Sequence, residues 1–418
     1  MTGNRDYSLL QRFATRFLLI YFLLYIIPYG FEYIYAIEVS QIPVWEEITI
    51  WFGETFLGWD FDVSRLNKGF DSKYDFTRFL LIGSFSLLMS ACWLVVDHLR
   101  KRKYNNRLKI VLQTILRYHL AFTLILYGLA KVFPLQFGQA AIDRLMTPMG
   151  DFTPMSLLWA FMSYSRFYTA VTGWIEVLGG VLLLFRKTTF AGIFLSVVAM
   201  VNVVVIDIGY DVTVKMFAIH LLIMALILLS DHMKRVVDFL ILNRSARPFF
   251  YDSLFGERKM PGLIVKVVVI GFFVVTTYWH TMDRLGNETT NEYSYFSSYH
   301  LVSDFTIDDE PLGEKEPNRW KDFSISGSSW QHNAMTVRLQ NGRKKTFLFE
   351  LDSSRHFIKL LEEKFQIETY ELYYRELPGN VMVFEGTHLG DSVRIETVRK
   401  RIEDYRLRKN GTRWIRDL

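Results

Sequence analysis

The chain has 418 residues, 50% of them hydrophobic and 16% aromatic, with a formal charge of +5. Its apolar residues are clumped and its charges fall between the clumps, which is the pattern of a membrane protein and excludes a purely soluble one. The basic excess sits in short loops, so topology accounts for it and no nucleic-acid partner is expected.

At the N-terminus Arg5, Arg12 and Arg16 precede "FLLIYFLLYIIPYGFEYIYAI". That run is too long for a signal-peptide core and lacks a small-x-small cleavage site, so it reads as a retained first span. Candidate spans near the roughly 20 residues a bilayer requires are 15–37, 77–98, 110–133, 170–185, 188–208, 213–230 and 262–281. The fourth is short and begins inside "LLWAFMSYSRFYTAVTGW", a stretch that also reads as interfacial or re-entrant. The first loop holds "IPVWEEITIWFGETFLGWDF", whose Trp45, Trp51 and Trp59 suit an amphipathic helix at headgroup level.

Loop charge sets the orientation. "RKRKYNNRLK" (100–109), "RK" (186–187) and the segment 231–260, with Lys234, Arg235, Arg244, Arg247, Arg258 and Lys259, are basic, whereas 38–76 is acidic. The basic loops alternate, which places the N-terminus inside and the tail outside a bacterial cytoplasmic membrane.

From about 284 the composition becomes that of a soluble domain. Asn341-Gly342 lies between two β-rich runs and predicts a hairpin. Ser354 is placed to cap a helix through "RHFIKLLEEKF", with Phe357, Leu360, Leu361 and Phe365 at core spacing. "YELYYREL", Pro378-Gly379-Asn380 and "VMVFEG" predict a second strand pair, and "DSVRIETV" another strand. No GxSxG, HExxH or P-loop is present. The expected fold is therefore an all-α polytopic membrane bundle of about seven transmembrane helices (residues 1–283) carrying an α+β extracytoplasmic domain (284–418).

Ionisable groups inside spans are the functional candidates. Arg117 and Lys131 mark the two ends of one helix face, about 40° and about 21 Å apart. Arg117 lies near the inner leaflet, where it can snorkel. His119, on another face, reads as a core or lipid-facing histidine. Glu176 in "TGWIEVLGG" lies among Gly173, Gly179 and Gly180, so it faces neighbouring helices and must be protonated or paired, with Lys131 the nearest cation by depth. Asn202 and Asp207 follow in the next span. Asp211 and Lys215 then form an i,i+4 pair, with His220 five residues deeper. Lys131, Glu176, Asn202, Asp207, Asp211, Lys215 and His220 all project into the outer half of the membrane and are expected to line an outward-facing polar cavity. No HxxxH or HxxE spacing favours a metal. His119 and His220 lie at opposite depths, against bis-histidine haem. The single cysteine, Cys92, excludes a disulfide, a CxxC pair and a thiolate zinc site, so it reads as packing.

The blocks "RYHLAFTLILYGLAKVFPLQFG", "GDFTPMSLLWAFMSYS", "TGWIEVLGGVLLLFRKTT" and "YDVTVKMFAIHLLIMALILL" resemble the DoxX-like integral membrane proteins of bacteria, over roughly 110–232. The resemblance implies a four-helix core and, since some relatives are subunits of quinone-linked oxidoreductases, a quinone or lipid ligand. Three functions follow as expectations. In a redox-associated subunit, Lys131 or His220 would hydrogen-bond a quinone oxygen while Glu176 relays a proton. In a non-enzymatic envelope scaffold, the bundle would anchor the outer domain for an envelope protein partner. The third is an enzyme similar to the vitamin-K-dependent carboxylase-like membrane proteins, with a lysine as base.

Overall fold

The computed structural model of the chain describes residues 8–27, 43–62, 71–102, 106–138, 142–245, 254, 259–289, 298–328, 331–362, 368–401 and 404–405. They divide into two compact units, one of residues 1–137 and 153–281, the other of residues 138–152 and 282–418.

The first unit is helical: α1 (Leu9–Tyr25), α2 (Pro43–Phe52), α3 (Lys73–Leu99) and α4 (Arg107–Val132). The short α5 (Ile142–Met146) falls in the second unit. The first resumes with α6 (Pro154–Tyr164), α7 (Arg166–Leu184), α8 (Thr189–Gly209), α9 (Lys215–Ser230), α10 (Met233–Val236) and most of α11 (Lys259–Thr289). Starts are set by local chemistry. Ser8 with Gln11 and Ser72 with Asp75 form reciprocal capping boxes. Ser165 ends α6 and caps α7 through the Tyr168 amide, so the ambiguous stretch is a separate helix followed by a span.

Among the described residues, five helices are long and apolar enough to cross a membrane: α3, α4, α7, α8 and Met260–Leu285 of α11. A sixth passes only if α9 is joined to Met233–Phe239 across a 76° bend. The helix at the first expected span, α1, has 17 residues, and residues 28–37 of that span lie outside the described residues. Leu88, Val95, Val267 and Val268 lie exposed on α3 and α11, as a lipid-facing surface requires. The chain is membrane-associated. Inside the unit, α4 supplies Leu112, Leu116, Leu120 and Leu124 to the core. Polar clamps tie other helices together: Arg16 pairs with Asp97, and Asp231 accepts from Lys109 at 2.5 Å and from Gln113.

The second unit overturns the expected α+β domain. It contains β1 (Ser298–Ile307), β2 (Glu310–Pro311), β3 (Trp320–Ser328), β4 (Gln331–Leu339), β5 (Lys344–Asp352), β6 (Phe357–Glu362), β7 (Glu368–Leu377), β8 (Val381–His388) and β9 (Asp391–Arg401). The order runs β1-β3-β4-β5-β6-β7-β8-β9 and closes by β1–β9 pairing, with β2 a short flap on β1. This is a closed eight-stranded antiparallel barrel. The hairpin turns at Asn341-Gly342, with Gly342 at φ 81°. The expected helix at 355–365 is β6 through its described residues. Asp352 Oδ1 accepts from the Ser354 amide at 3.0 Å, the Ser354 hydroxyl at 2.6 Å and the Arg355 amide at 3.1 Å. Ser354 is thereby spent on a turn rather than a helix cap. Ile358 and Leu360 then point into the barrel between β5 and β7.

The barrel interior is filled by side chains. Trp320 is ringed by Phe305, Phe323, Phe347 and Tyr370 at 5.1–6.1 Å between centroids. Elsewhere in the interior His300 lies between Ser298 Oγ (2.8 Å) and Thr397 Oγ1 (3.0 Å), stacked on Phe323. Burial, assisted by the Arg399 charge, holds its imidazole down at about 3. The unfolded chain binds this proton more readily, so the stability His300 contributes is full above about pH 6.5 and is lost as pH falls toward 3, by about 1.4 kcal/mol per unit. Pulse proteolysis of the intact protein in urea, read on barrel peptides, should show the barrel weakening between pH 7 and pH 5. His300→Gln should flatten that slope; an unchanged slope would remove His300 as its source.

Candidate functional site

Lys131 ends α4 and Glu176 lies midway along α7, and the structure brings them together. Lys131 Nζ donates to Glu176 Oε1 at 2.5 Å and Oε2 at 2.7 Å, with side chains only 9% and 6% exposed. Glycine makes this approach possible. A Cβ on Gly128 would stand 2.6 Å from the Gly173 carbonyl oxygen, and one on Gly180 would stand 2.6 Å from that of Ala121. Contacts that pair 128 with 173 and 121 with 180 mean that α4 and α7 run antiparallel. Helical side chains lean toward their own N-terminus, so on antiparallel neighbours Lys131 and Glu176 lean toward each other. Each lies three residues after its contact glycine, on the same seam.

Around this pair stand further charges. Asp207, in the last turn of α8, is 7% exposed. It lies within electrostatic reach of Lys131, Asp71, Lys215 and Glu176, yet its carboxylate has no hydrogen bond or ion pair among the described residues. Lys215, opening α9, holds Asp211 at 2.7 Å and the Val212 carbonyl at 3.1 Å. Asp211 itself is 79% exposed. The sequence reading missed Asp71. Its carboxylate accepts from the Lys215 amide at 2.8 Å and the Met216 amide at 3.0 Å, capping α9 from the residue before the Ser72 cap of α3. A capping aspartate far away in sequence leaves no local pattern to find it by.

His220 is buried but apart from these charges in its bonding. Its Nδ1 faces the Met216 carbonyl at 2.6 Å and its Nε2 the Tyr21 hydroxyl at 2.7 Å. The carbonyl can only accept, so Nδ1 carries the proton and Nε2 accepts from Tyr21. The ring stacks on Tyr25 at 4.3 Å and meets Phe79 at 4.8 Å, which fastens α1 and α3 to α9. Both nitrogens are engaged, so His220 as placed offers none to a quinone oxygen. Asn202 is exposed on α8 and does not join the cluster. His119 is buried on α4. Arg117 lies against Thr189 at 3.5 Å and over the Tyr118 ring at 4.9 Å, a partnered group rather than a cavity lining. Among the described residues no three His, Cys, Asp or Glu side chains are grouped to hold a metal.

Breaking a buried pair leaves one charge uncompensated and costs about 3–5 kcal/mol. Glu176→Gln and Lys131→Met should each lower the melting temperature of the purified protein, and the double variant should regain part of the loss. Additive losses would show that the two groups act independently.

No family model and no solved structure matches the chain. Over 113 residues, 27% of this chain and 71% of the relative, it is 36% identical to "Uncharacterized protein YwoB" of Bacillus subtilis (strain 168). At that identity and coverage, the chain belongs to the family of Bacillus subtilis YwoB.

Proposed function

We propose that the protein is a multi-pass component of a bacterial cytoplasmic membrane that binds the polar end of a lipid or quinone at the Lys131–Glu176–Asp207 cluster. The observation that carries this reading is Asp207, a largely buried carboxylate with no bonded partner among the described residues, beside an ion pair whose lysine is already committed. A structural network closes its own charges, because an unpaired buried one costs several kcal/mol. A site that awaits a ligand leaves one open. Resemblance to the DoxX-like proteins over 110–232 makes a quinone one candidate occupant. Placement of the basic loops at 100–109, 186–187 and 231–260 supports an extracytoplasmic barrel.

A second reading, an anchor that presents the barrel to an envelope partner, has support in the glycine seam and in the fully engaged His220, both of which hold helices together. Mass spectrometry of lipid extracts decides between them. The ligand reading expects a lipid or quinone retained in stoichiometric amount by the purified wild type and lost from Asp207→Asn. The anchor reading expects only the bulk lipid profile in both.

Orientation is tested separately. With Cys92→Ser as background, a cysteine in place of the exposed Glu350 on β5 should react with an impermeant maleimide in intact spheroplasts. Labelling only after lysis would place the barrel inside.

A further inference from the structure

Resting on that reading, we infer that the ligand presents a primary ammonium group to Asp207. Among the described residues the charges of the cluster do not balance: Lys131 and Lys215 stand against Glu176, Asp207, Asp71 and Asp211. Three of the four carboxylates are accounted for. Glu176 holds both oxygens on Lys131. Asp71 sits on the amides that open α9, where the positive end of the helix dipole offsets it. Asp211 pairs with Lys215 and is largely in solvent. Asp207 alone is nine-tenths buried with no bonded partner among the described residues.

Its position sharpens the demand for a cation. Asp207 is in the last turn of α8, where the helix dipole presents its negative end. An anionic headgroup would meet that end and a net negative cluster together, so phosphate-type recognition is disfavoured. Neither lysine is spare, since each ammonium already lies within 2.7 Å of a carboxylate oxygen. Nor do the described acidic residues gather in a set that could ligate a metal ion. A primary ammonium meets what remains: it supplies one positive charge to one carboxylate, and its N–H groups give a charge-assisted hydrogen bond that a quaternary ammonium cannot. Such a group comes on an aminolipid headgroup or on a free amine.

The full chain is reconstituted in nanodiscs of phosphatidylcholine alone, or with added phosphatidylethanolamine or phosphatidylglycerol, and bound lipid is counted by native mass spectrometry. Wild type and the barrel-surface variant Glu350→Gln should retain phosphatidylethanolamine over phosphatidylglycerol by about tenfold, and Asp207→Asn should lose that preference. A second arm titrates soluble ethanolamine into wild type in phosphatidylcholine nanodiscs and follows the melting temperature. A shift there assigns a free amine, and a response to the lipid alone assigns the headgroup; either supports the ammonium. Absence of response in both arms overturns it, as does a preference that survives in Asp207→Asn. If Asp207→Asn does not fold, the wild-type arms decide. Retention of a quinone or an amine-free lipid overturns the ammonium but leaves the ligand reading standing. Failure to retain any amphiphile overturns the ligand reading itself.

Discussion

A charge withdrawn from water must find a partner, and the helical unit is organised around that requirement. The Lys131–Glu176 pair is affordable because glycine lets α4 and α7 approach until the two side chains meet. Remove the small residues and the helices part, leaving two charges in an apolar bundle. Glycine contact and ion pair therefore depend on one another, and the core leucines of α4 pack on the geometry the two define. The same logic recurs away from the seam: Arg16 with Asp97 and Lys109 with Asp231 each join helices distant in sequence.

The barrel solves a different problem. A sheet rolled on itself leaves no unpaired edge, and here closure is made by β1, which pairs with both β3 and β9. Its interior is dominated by aromatic rings but admits His300, Thr397 and Arg399, each bonded within the barrel wall or lumen. Those polar groups oppose a register slip, because shifting β1 by one residue would turn His300 out of the interior and away from Thr397.

How much of this was legible in sequence depends on the range of the signal. The glycines of "TGWIEVLGG" and the depth of Lys131 led to the Glu176 partner, since both are local features of single helices. Hairpin chemistry at Asn341-Gly342 and Pro378-Gly379-Asn380 was likewise readable. What failed was decided by distant partners. The run "FIKLLE" satisfies helical and strand spacing alike, and only β5 and β7 on either side make it a strand. Asp71 reaches α9 across 144 residues, and Tyr21 reaches His220 across 199, which no window can see. Asn202 was grouped by depth alone, and depth says nothing about which side of a helix a residue occupies.

The place of β1 in the chain has a mechanical consequence. Among the described residues it is the first strand after α11, and it is also the strand that closes the barrel. Tension transmitted along the chain from the membrane helix is thus borne first by a strand held on both flanks. A bulge between Val302 and Asp304 interrupts its ladder with β9. Such an irregularity pins the register of the two strands. Peeling β1 from the barrel requires its ladders with β3 and β9 to yield together.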